Sequence, residues 1–227
     1  MEQHIIEAVD AYIAKQFEYD QFLVAVLTFF QKHPLLNKKP FPVIHSIKSR
    51  FKDPVHLADK IERKVKTGRI VNKENIFSEI TDLIGVRVLH LHQDQFKFID
   101  AAINEKVQSG DWLFVEPPKA YTWDPESAQF YNSLNIRTEV KETFYTSIHY
   151  TVKPNNYNQI CCEIQVRTLF EEIWGEIDHT INYPLPTDSL GCREQIKVLA
   201  RLVSTGTRLA DSIFRTAQEH TSKQSTL

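Results

Sequence analysis

Polar and apolar residues alternate strictly near residue 165. The segment 163–167 reads EIQVR, so on a strand Glu163, Gln165 and Arg167 share one face while Ile164 and Val166 pack behind them. A carboxylate, an amide and a guanidinium held side by side suit a metal ion or a phosphate. An edge strand facing solvent, with a Glu–Arg pair across it, is the structural alternative.

A second acid, Asp82, stands directly before the apolar segment 83–91, which predicts a buried strand. If this strand neighbours 163–167, Asp82 and Glu163 form a carboxylate pair. Mg²⁺ prefers such oxygen ligands, with substrate phosphates completing its shell. We therefore expect Mg²⁺ to bind Asp82 and Glu163. Arg87 interrupts the apolar strand, and both a site role and a structural salt bridge remain open for it.

Residues 38–73 are strongly basic, with 11 Lys and Arg against 3 Asp and Glu, whereas the whole chain carries a net charge of −2. Asp53 followed by Pro54 predicts a helix start, and Gly68 predicts its end. One stripe of this helix is apolar, whereas the other carries His56, Lys60, Arg63 and Lys64, with Arg50 and Lys52 just upstream. A row of cations suits a polyphosphate. A solvated charged face is the alternative.

The hydrophobic periodicity predicts an α+β (mixed α/β) fold. We expect helical structure over 2–32 with a break near 19–20, strands at 83–91, 112–115, 145–152 and 159–167, a loop-rich stretch at 116–140, and helices over 96–107, from Thr168 onward and over 190–218. The capping box Thr168-x-x-Glu171 opens the penultimate helix. The expected division is an N-terminal helical extension (1–44), a core (45–185) and a C-terminal helix with a tail (186–227).

Composition is that of an ordinary globular protein, with 42% hydrophobic and 25% charged residues. The sequence has no apolar run long enough for a membrane span and no signal peptide pattern. The three cysteines include no C-x-x-C pair, which argues against a disulfide framework or a zinc site. We expect a cytoplasmic protein without a membrane partner.

Four blocks of the sequence resemble the synthetase domain of the RelA/SpoT family. They read RFKDPVHLADKIERK at 50–64, DLIGVRVL at 82–89, YTSIHYTV at 145–152 and EIQVRTLFEEIWGEIDHTINY at 163–183. The resemblance implies a nucleotidyltransferase-related fold and a small alarmone synthetase without a hydrolase domain. It also implies transfer of the β,γ-pyrophosphate of ATP to the 3′-hydroxyl of GTP or GDP, which yields (p)ppGpp and AMP.

Carried over by position, the resemblance implies that Arg50 and Arg87 sandwich the adenine. The other implied ATP-binding residues are Lys52, Lys60, Arg63 and Lys64. Asp82 and Glu163 would bind Mg²⁺, with Arg87 also counted as catalytic and Glu163 helping to deprotonate the attacking hydroxyl. Tyr145 would stack on the acceptor base, and further acceptor contacts would come from Lys141, Ser147, His149, Gln165 and Arg167.

The acceptor segment departs from the family pattern. Phe144-Tyr145-Thr146-Ser147-Ile148-His149 stands where the family usually has Gly-Tyr-Arg-Ser-x-His. This change keeps two alternatives open, namely pyrophosphorylation of the tRNA 3′ end or of adenosine nucleotides, and a catalytically inactive nucleotide-binding module. The resemblance also leaves a homo-oligomer and an antitoxin partner as open possibilities.

Overall fold

A computed structural model of the chain describes residues 2–157, 159–183 and 185–224. Within these residues, one mixed sheet has the strand order β1-β2-β6-β5-β3-β4. The strands are β1 (Ser46–Phe51), β2 (Ile84–His90), β3 (Leu113–Tyr121), β4 (Arg137–Glu139), β5 (Ser147–Lys153) and β6 (Cys162–Thr168). The pairs β2–β6 and β3–β4 are parallel, and the other neighbours are antiparallel.

Helices precede, interrupt and follow the strands, which confirms the predicted fold class. They are α1 (Gln3–Ala14), α2 (Gln16–Lys32), α3 (Pro54–Lys66), α4 (Ile76–Glu79), α5 (Phe96–Gln108), α6 (Pro125–Ser133), α7 (Leu169–Asn182) and α8 (Leu190–Gln224). In the part of the chain that is described, no helix is long and apolar enough to cross a membrane. The division at residues 44 and 185 stays a prediction.

The two faces of the sheet differ in chemistry. One face carries buried apolar residues, such as Val86 on β2, Ile164 on β6 and Ile148 on β5, which belong to the main core. The opposite face carries a row of polar side chains that are directly paired across the strands. From β1 to β4 this row runs Lys48, Arg87, Gln165, His149, Lys119 and Arg137.

Two parts of the predicted secondary structure need correction. Strand β1 was not predicted, because it is an edge strand whose last four residues are exposed and which lacks an alternating apolar pattern. The stretch 116–140 is not loop-rich, since it contains the end of β3, α6 and β4. Pro117 and Pro118 lie where the β3–β5 register shifts, and such bulges tolerate proline.

Helix ends also differ from the prediction. The N-terminal break falls at Lys15, whereas Tyr19 is a fully buried residue inside α2. Helix α8 continues to Gln224, beyond the predicted end near 218, and the last three residues of the predicted tail lie outside the described residues. The predicted start of α3 is confirmed, since the Asp53 carboxylate accepts hydrogen bonds from two backbone N–H groups of its first turn.

Candidate active site

Asp82 is a partly buried acid surrounded by cations. Its Oδ1 lies 2.7 Å from Lys60 Nζ, and its Oδ2 lies 2.9 Å from Lys52 Nζ and 3.8 Å from a terminal nitrogen of Arg50. Burial on its own would raise the pKa of Asp82, but the ion pairs with Lys60 and Lys52 outweigh it and lower the pKa to about 2. Asp82 is therefore ionised at neutral pH, with its charge matched by lysines.

Local structure explains why these lysines meet Asp82. Lys52 directly follows β1, and its backbone N–H donates to the carbonyl of Leu83, next to Asp82, at 2.8 Å. Lys60 lies on α3, which is oriented by the buried residues Leu57 and Ile61. Because Lys60 is on the adjoining face of the helix, its ammonium group reaches the same carboxylate from the other side.

Glu163 begins a chain of hydrogen-bonding groups on the polar face. Its Oε2 accepts a hydrogen bond from Gln165 Nε2 at 2.7 Å, and its Oε1 lies 3.2 Å from His149 Nδ1. His149 Nε2 in turn lies 3.0 Å from the hydroxyl of Tyr145. Burial opposes ionisation of Glu163, yet the hydrogen bond and charge of His149 dominate and lower its pKa. Since a carboxylate only accepts, His149 Nδ1 carries the proton that faces Glu163.

The two acids lie at the same end of neighbouring strands. Gly85 of β2 pairs in parallel with Glu163 of β6, and Asp82 precedes β2 by two residues. The negative charge of Asp82 also acts to raise the pKa of Glu163. Among the residues described, no group of three His, Cys, Asp or Glu side chains is arranged to hold a metal. Two carboxylates plus substrate phosphates are nevertheless an oxygen set that fits Mg²⁺.

A cleft of about 150 Å³ opens beside these acids. Its walls come from β1, β2 and β6, and it is lined by Lys48, Ser49, Arg50, Gly85, Val86, Arg87, Glu163 and Gln165. Arg50 and Arg87 thus flank one cleft, as the resemblance implies. Arg87 is further held from behind, since one of its terminal nitrogens lies 3.2 Å from Glu172 Oε1 and 2.7 Å from Glu176 Oε1.

Two residues expected to contact the acceptor lie behind the cleft. Arg167 is 3% exposed, and its guanidinium pairs with Glu172 Oε2 at 2.7 Å and lies 5.8 Å from the centre of the Tyr145 ring. Ser147 is fully buried. Both side chains are buried in this structure, whereas the resemblance implies direct contact with the acceptor. The position of Arg167 suits support of Tyr145.

The rest of the expected acceptor set is connected to Tyr145 through His149. Lys141 Nζ lies 4.3 Å from the centre of the Tyr121 ring, and Tyr121 contacts His149 edge to face at 4.9 Å. Phe144 has φ = 63°, the left-handed region in which glycine is favoured, and its ring packs 4.9 Å from Trp123. The residue before Tyr145 therefore keeps a glycine-like backbone while adding an aromatic anchor.

The structure does not bring Arg63 and Lys64 to Asp82. Lys64 Nζ instead donates to the backbone carbonyl of Glu79 at 2.5 Å. Arg63 is exposed, and its Nε donates to the backbone carbonyl of Asp59 at 3.3 Å. Residues of α3 one turn apart thus differ, because Lys60 faces the acid and Lys64 faces α4.

Sequence reasoning missed several residues at this site, namely Lys48, Lys119, Tyr121, Glu172 and Glu176. Lys48 stands two residues before Arg50 and shares its strand face, but this relation is visible only once β1 is known to be a strand. The role of Glu172 could not be predicted, because its contact with Lys48 joins residues 124 positions apart. Such a pairing leaves no periodic signal in the sequence.

Comparison with known proteins agrees with the geometry. The family model described as "Region found in RelA / SpoT proteins" matches residues 49–188. Comparison with curated protein sequences gave no significant match. The solved structure of a GTP pyrophosphokinase family protein from Streptococcus pneumoniae is similar at TM-score 0.68, with 19% identity over 97% of both chains.

Two further solved structures have the same fold. The small alarmone synthetase 1 from Bacillus subtilis matches at TM-score 0.70 and 17% identity, covering 92% of this chain and 99% of that one. The same synthetase bound to its product pppGpp matches at TM-score 0.66 and 19% identity, covering 90% and 98%. The family match spans well over half of the sequence, and the chain therefore belongs to the RelA/SpoT family.

Proposed function

We propose that this protein is a Mg²⁺-dependent pyrophosphotransferase that uses ATP as donor and GTP or GDP as acceptor. The 3′-oxygen of the acceptor forms a bond to the β-phosphorus of ATP, the bond from that phosphorus to the α,β-bridging oxygen breaks, and AMP leaves. Family membership supports the reaction class. The observation that carries the proposal is the pairing of Asp82 with Lys52 and Lys60, close to Glu163 and beside a cleft flanked by arginines.

The donor residues have the chemistry that this reaction needs. Arg50 and Arg87 would hold the adenine in the cleft. Lys52 and Lys60 would exchange Asp82 for the phosphates of ATP, because a polyphosphate offers them more negative charge. The transfer needs positioning and charge neutralisation more than covalent help from the protein.

The acids take the complementary role. Once the lysines turn to the phosphates, Asp82 and Glu163 would hold Mg²⁺. The bound ion would supply neutralisation of the charge that develops on the phosphate oxygens. Because its pKa is lowered, Glu163 is ionised at neutral pH and can accept a hydrogen bond from the attacking hydroxyl.

On the acceptor side, Tyr145 would stack on the base, with Lys141, His149 and Gln165 near the acceptor or transferred phosphates. Arg167 and Ser147 would support Tyr145 rather than contact the nucleotide, since both are buried.

A second candidate keeps the donor chemistry and changes the acceptor to the tRNA 3′ end or an adenosine nucleotide. It is favoured by the altered acceptor segment, in which Phe144 replaces the usual glycine and packs against Trp123. The basic surface of residues 38–73 is also compatible with an RNA.

The test is to incubate the protein with Mg²⁺ and ATP labelled at the β- or γ-phosphate, offering GDP, GTP, ATP alone and deacylated tRNA as separate acceptors. Label on GDP or GTP with matching release of AMP is the expected result. Label on tRNA or on an adenosine nucleotide would establish the second candidate. Nucleotide binding without transfer to any acceptor would overturn both and leave a binding module.

A further inference from the structure

Glu172, in the first turn of α7, is a buried acid that the proposed chemistry does not use. It is 3% exposed, and basic side chains approach both of its oxygens. Oε1 lies 2.7 Å from Lys48 Nζ and 3.2 Å from Arg87, while Oε2 lies 2.7 Å from Arg167. Burial would raise its pKa, but the hydrogen bond from Lys48 and the charges of Arg167 and Arg87 lower it. The side chain is therefore an anion at neutral pH.

The two oxygens of Glu172 face different halves of the site. Oε1 holds Lys48 and Arg87, and both of these line the cleft proposed for the adenine. Oε2 holds Arg167, whose guanidinium lies 5.8 Å from the ring centre of Tyr145, the residue proposed to stack on the acceptor base. A single carboxylate thus joins the supports of both substrates.

Helix α7 has a glycine, Gly175, where the guanidinium of Arg167 approaches it. A Cβ atom at Gly175 would lie 2.8 Å from a terminal nitrogen of Arg167, so a side chain there would displace the guanidinium. Glu176, one turn beyond Glu172, lies 2.7 Å from Arg87, and its side chain is 54% exposed. Glu176 thus provides a comparison residue that contacts the donor arginine from the surface.

Fixing the edge of an arginine leaves its face available. A guanidinium is planar, donates hydrogen bonds along its edge and stacks through its face. With its edge held by Glu172 and Glu176, Arg87 is oriented before ATP arrives, so less freedom is lost on binding. Lys48 and Arg87 both lie beside Glu172 Oε1, so without this carboxylate the two cations would repel each other.

We propose that Glu172 is a positioning residue for both substrates, acting on ATP through Arg87 and on the acceptor through Arg167 and Tyr145. This inference rests on the proposed function, which assigns Arg87 to the ATP-binding half of the site and Tyr145 to the acceptor-binding half. It predicts that one substitution outside the cleft raises two Michaelis constants together.

The test is Glu172→Gln, which keeps the shape of the side chain and removes its charge. We expect the KM for ATP and the KM for the acceptor each to rise about tenfold, as for loss of one charge-assisted contact. Glu176→Gln should raise the KM for ATP alone. Glu194→Gln, which removes an exposed acid paired with Lys197 on α8, should change neither constant.

A merely structural role would give a different result. A structural role would lower the specific activity per milligram, because less of the protein would be folded, while both KM values stayed at the parent's level. That outcome would overturn the inference. If Glu172→Gln does not fold because Arg167 is left buried and unpaired, the double variant Glu172→Gln/Arg167→Met removes the stranded cation. Its affinity for ATP should still be about tenfold weaker, whereas parental affinity would overturn the donor half.

Direct binding separates this inference from the proposed function. Titration of parent and variants with a non-hydrolysable ATP analogue and Mg²⁺ measures donor affinity without turnover. A parent that transfers to no acceptor would overturn the proposed function, while a tenfold loss of analogue affinity in Glu172→Gln would still uphold the donor role of Glu172. An active parent with equal affinity in Glu172→Gln would overturn the inference and leave the proposed function standing.

Discussion

The proposed donor and acceptor halves of the site are built differently. In the donor half, Lys52 and Lys60 pair with Asp82 next to an open cleft, and each ammonium group can exchange that partner for a phosphate. In the acceptor half, Tyr145 bonds to His149 and lies against the buried Arg167, so its contacts are with the protein. The first half is arranged to exchange ions, and the second to hold one ring in place.

This difference indicates where variation is tolerated. A residue of the donor half acts through its own charge on ATP or Mg²⁺, so replacing that residue removes the interaction directly. The orientation of Tyr145 depends on residues behind it, such as Arg167 and Phe144, which a nucleotide does not contact. We therefore expect that acceptor preference can change through packing while the donor chemistry stays the same, and the predictions below test that separation.

The largest effect is expected for Asp82→Asn. It removes a proposed Mg²⁺ ligand, so transfer should fall about a thousandfold or more, because charge neutralisation by a metal contributes several kcal/mol. The measurement is the rate of AMP release at saturating ATP and acceptor, with circular dichroism as the control for folding. A loss of less than tenfold would contradict the assignment of Asp82.

On the acceptor side we expect Tyr145→Ala to raise the KM for the acceptor about thirtyfold, since stacking of one base contributes about 1–3 kcal/mol. The KM for ATP should stay within about twofold. Tyr145→Phe is the matched control, because it keeps the ring and loses the hydroxyl bonded to His149. Equal acceptor KM values for the Ala and Phe variants would argue against stacking.

The ion pairs of Asp82 predict a dependence of stability on pH. The pKa of Asp82 falls from 3.8 to about 2 on folding, so its stabilisation, about 2 kcal/mol, is complete above pH 5 and is lost as the pH falls from about 4 towards 2. The difference in unfolding free energy between the parent and Asp82→Asn should shrink by about 1 kcal/mol from pH 5 to pH 3. Urea unfolding at both pH values measures it, and a constant difference would speak against these ion pairs.

The smallest change in kinetics is expected from a comparison of two lysines of α3. Lys60→Met should raise the KM for ATP about tenfold, because Lys60 lies 2.7 Å from Asp82 and faces the proposed phosphate position. Lys64→Met should change it less than about twofold, because Lys64 is bound to Glu79. Steady-state kinetics with ATP as the varied substrate separates them. Equal effects would favour the sequence-based expectation that both lysines bind ATP.

Much of the donor half could be predicted from the sequence because its signals are local. The cap at Asp53 and the apolar stripe of α3 indicated which helical face carries Lys60, and the alternation at 163–167 placed Glu163 and Gln165 on one face. These patterns repeat within a few residues. Their geometry therefore follows from helix and strand periods.

The missed parts depend on contacts between distant segments. Strand β1 has no alternation of its own and is defined by pairing with β2. The prolines of β3 suggested a loop, and the pairing with β5 on either side of the register shifts makes the segment a strand. Burial of Arg167 follows from the close approach of Gly175, which a residue pattern does not reveal.

The position of β6 has a consequence for how the chain folds. This strand lies between β2 and β5, yet it is the last of the six described strands to be synthesised. Until residues 162–168 emerge from the ribosome, β2 and β5 each lack one of their two native neighbours and present one open edge. Glu163 lies on this same strand. Insertion of β6 between β2 and β5 therefore completes the sheet and brings Glu163 to Asp82 in the same late step, which joins segments far apart in the sequence.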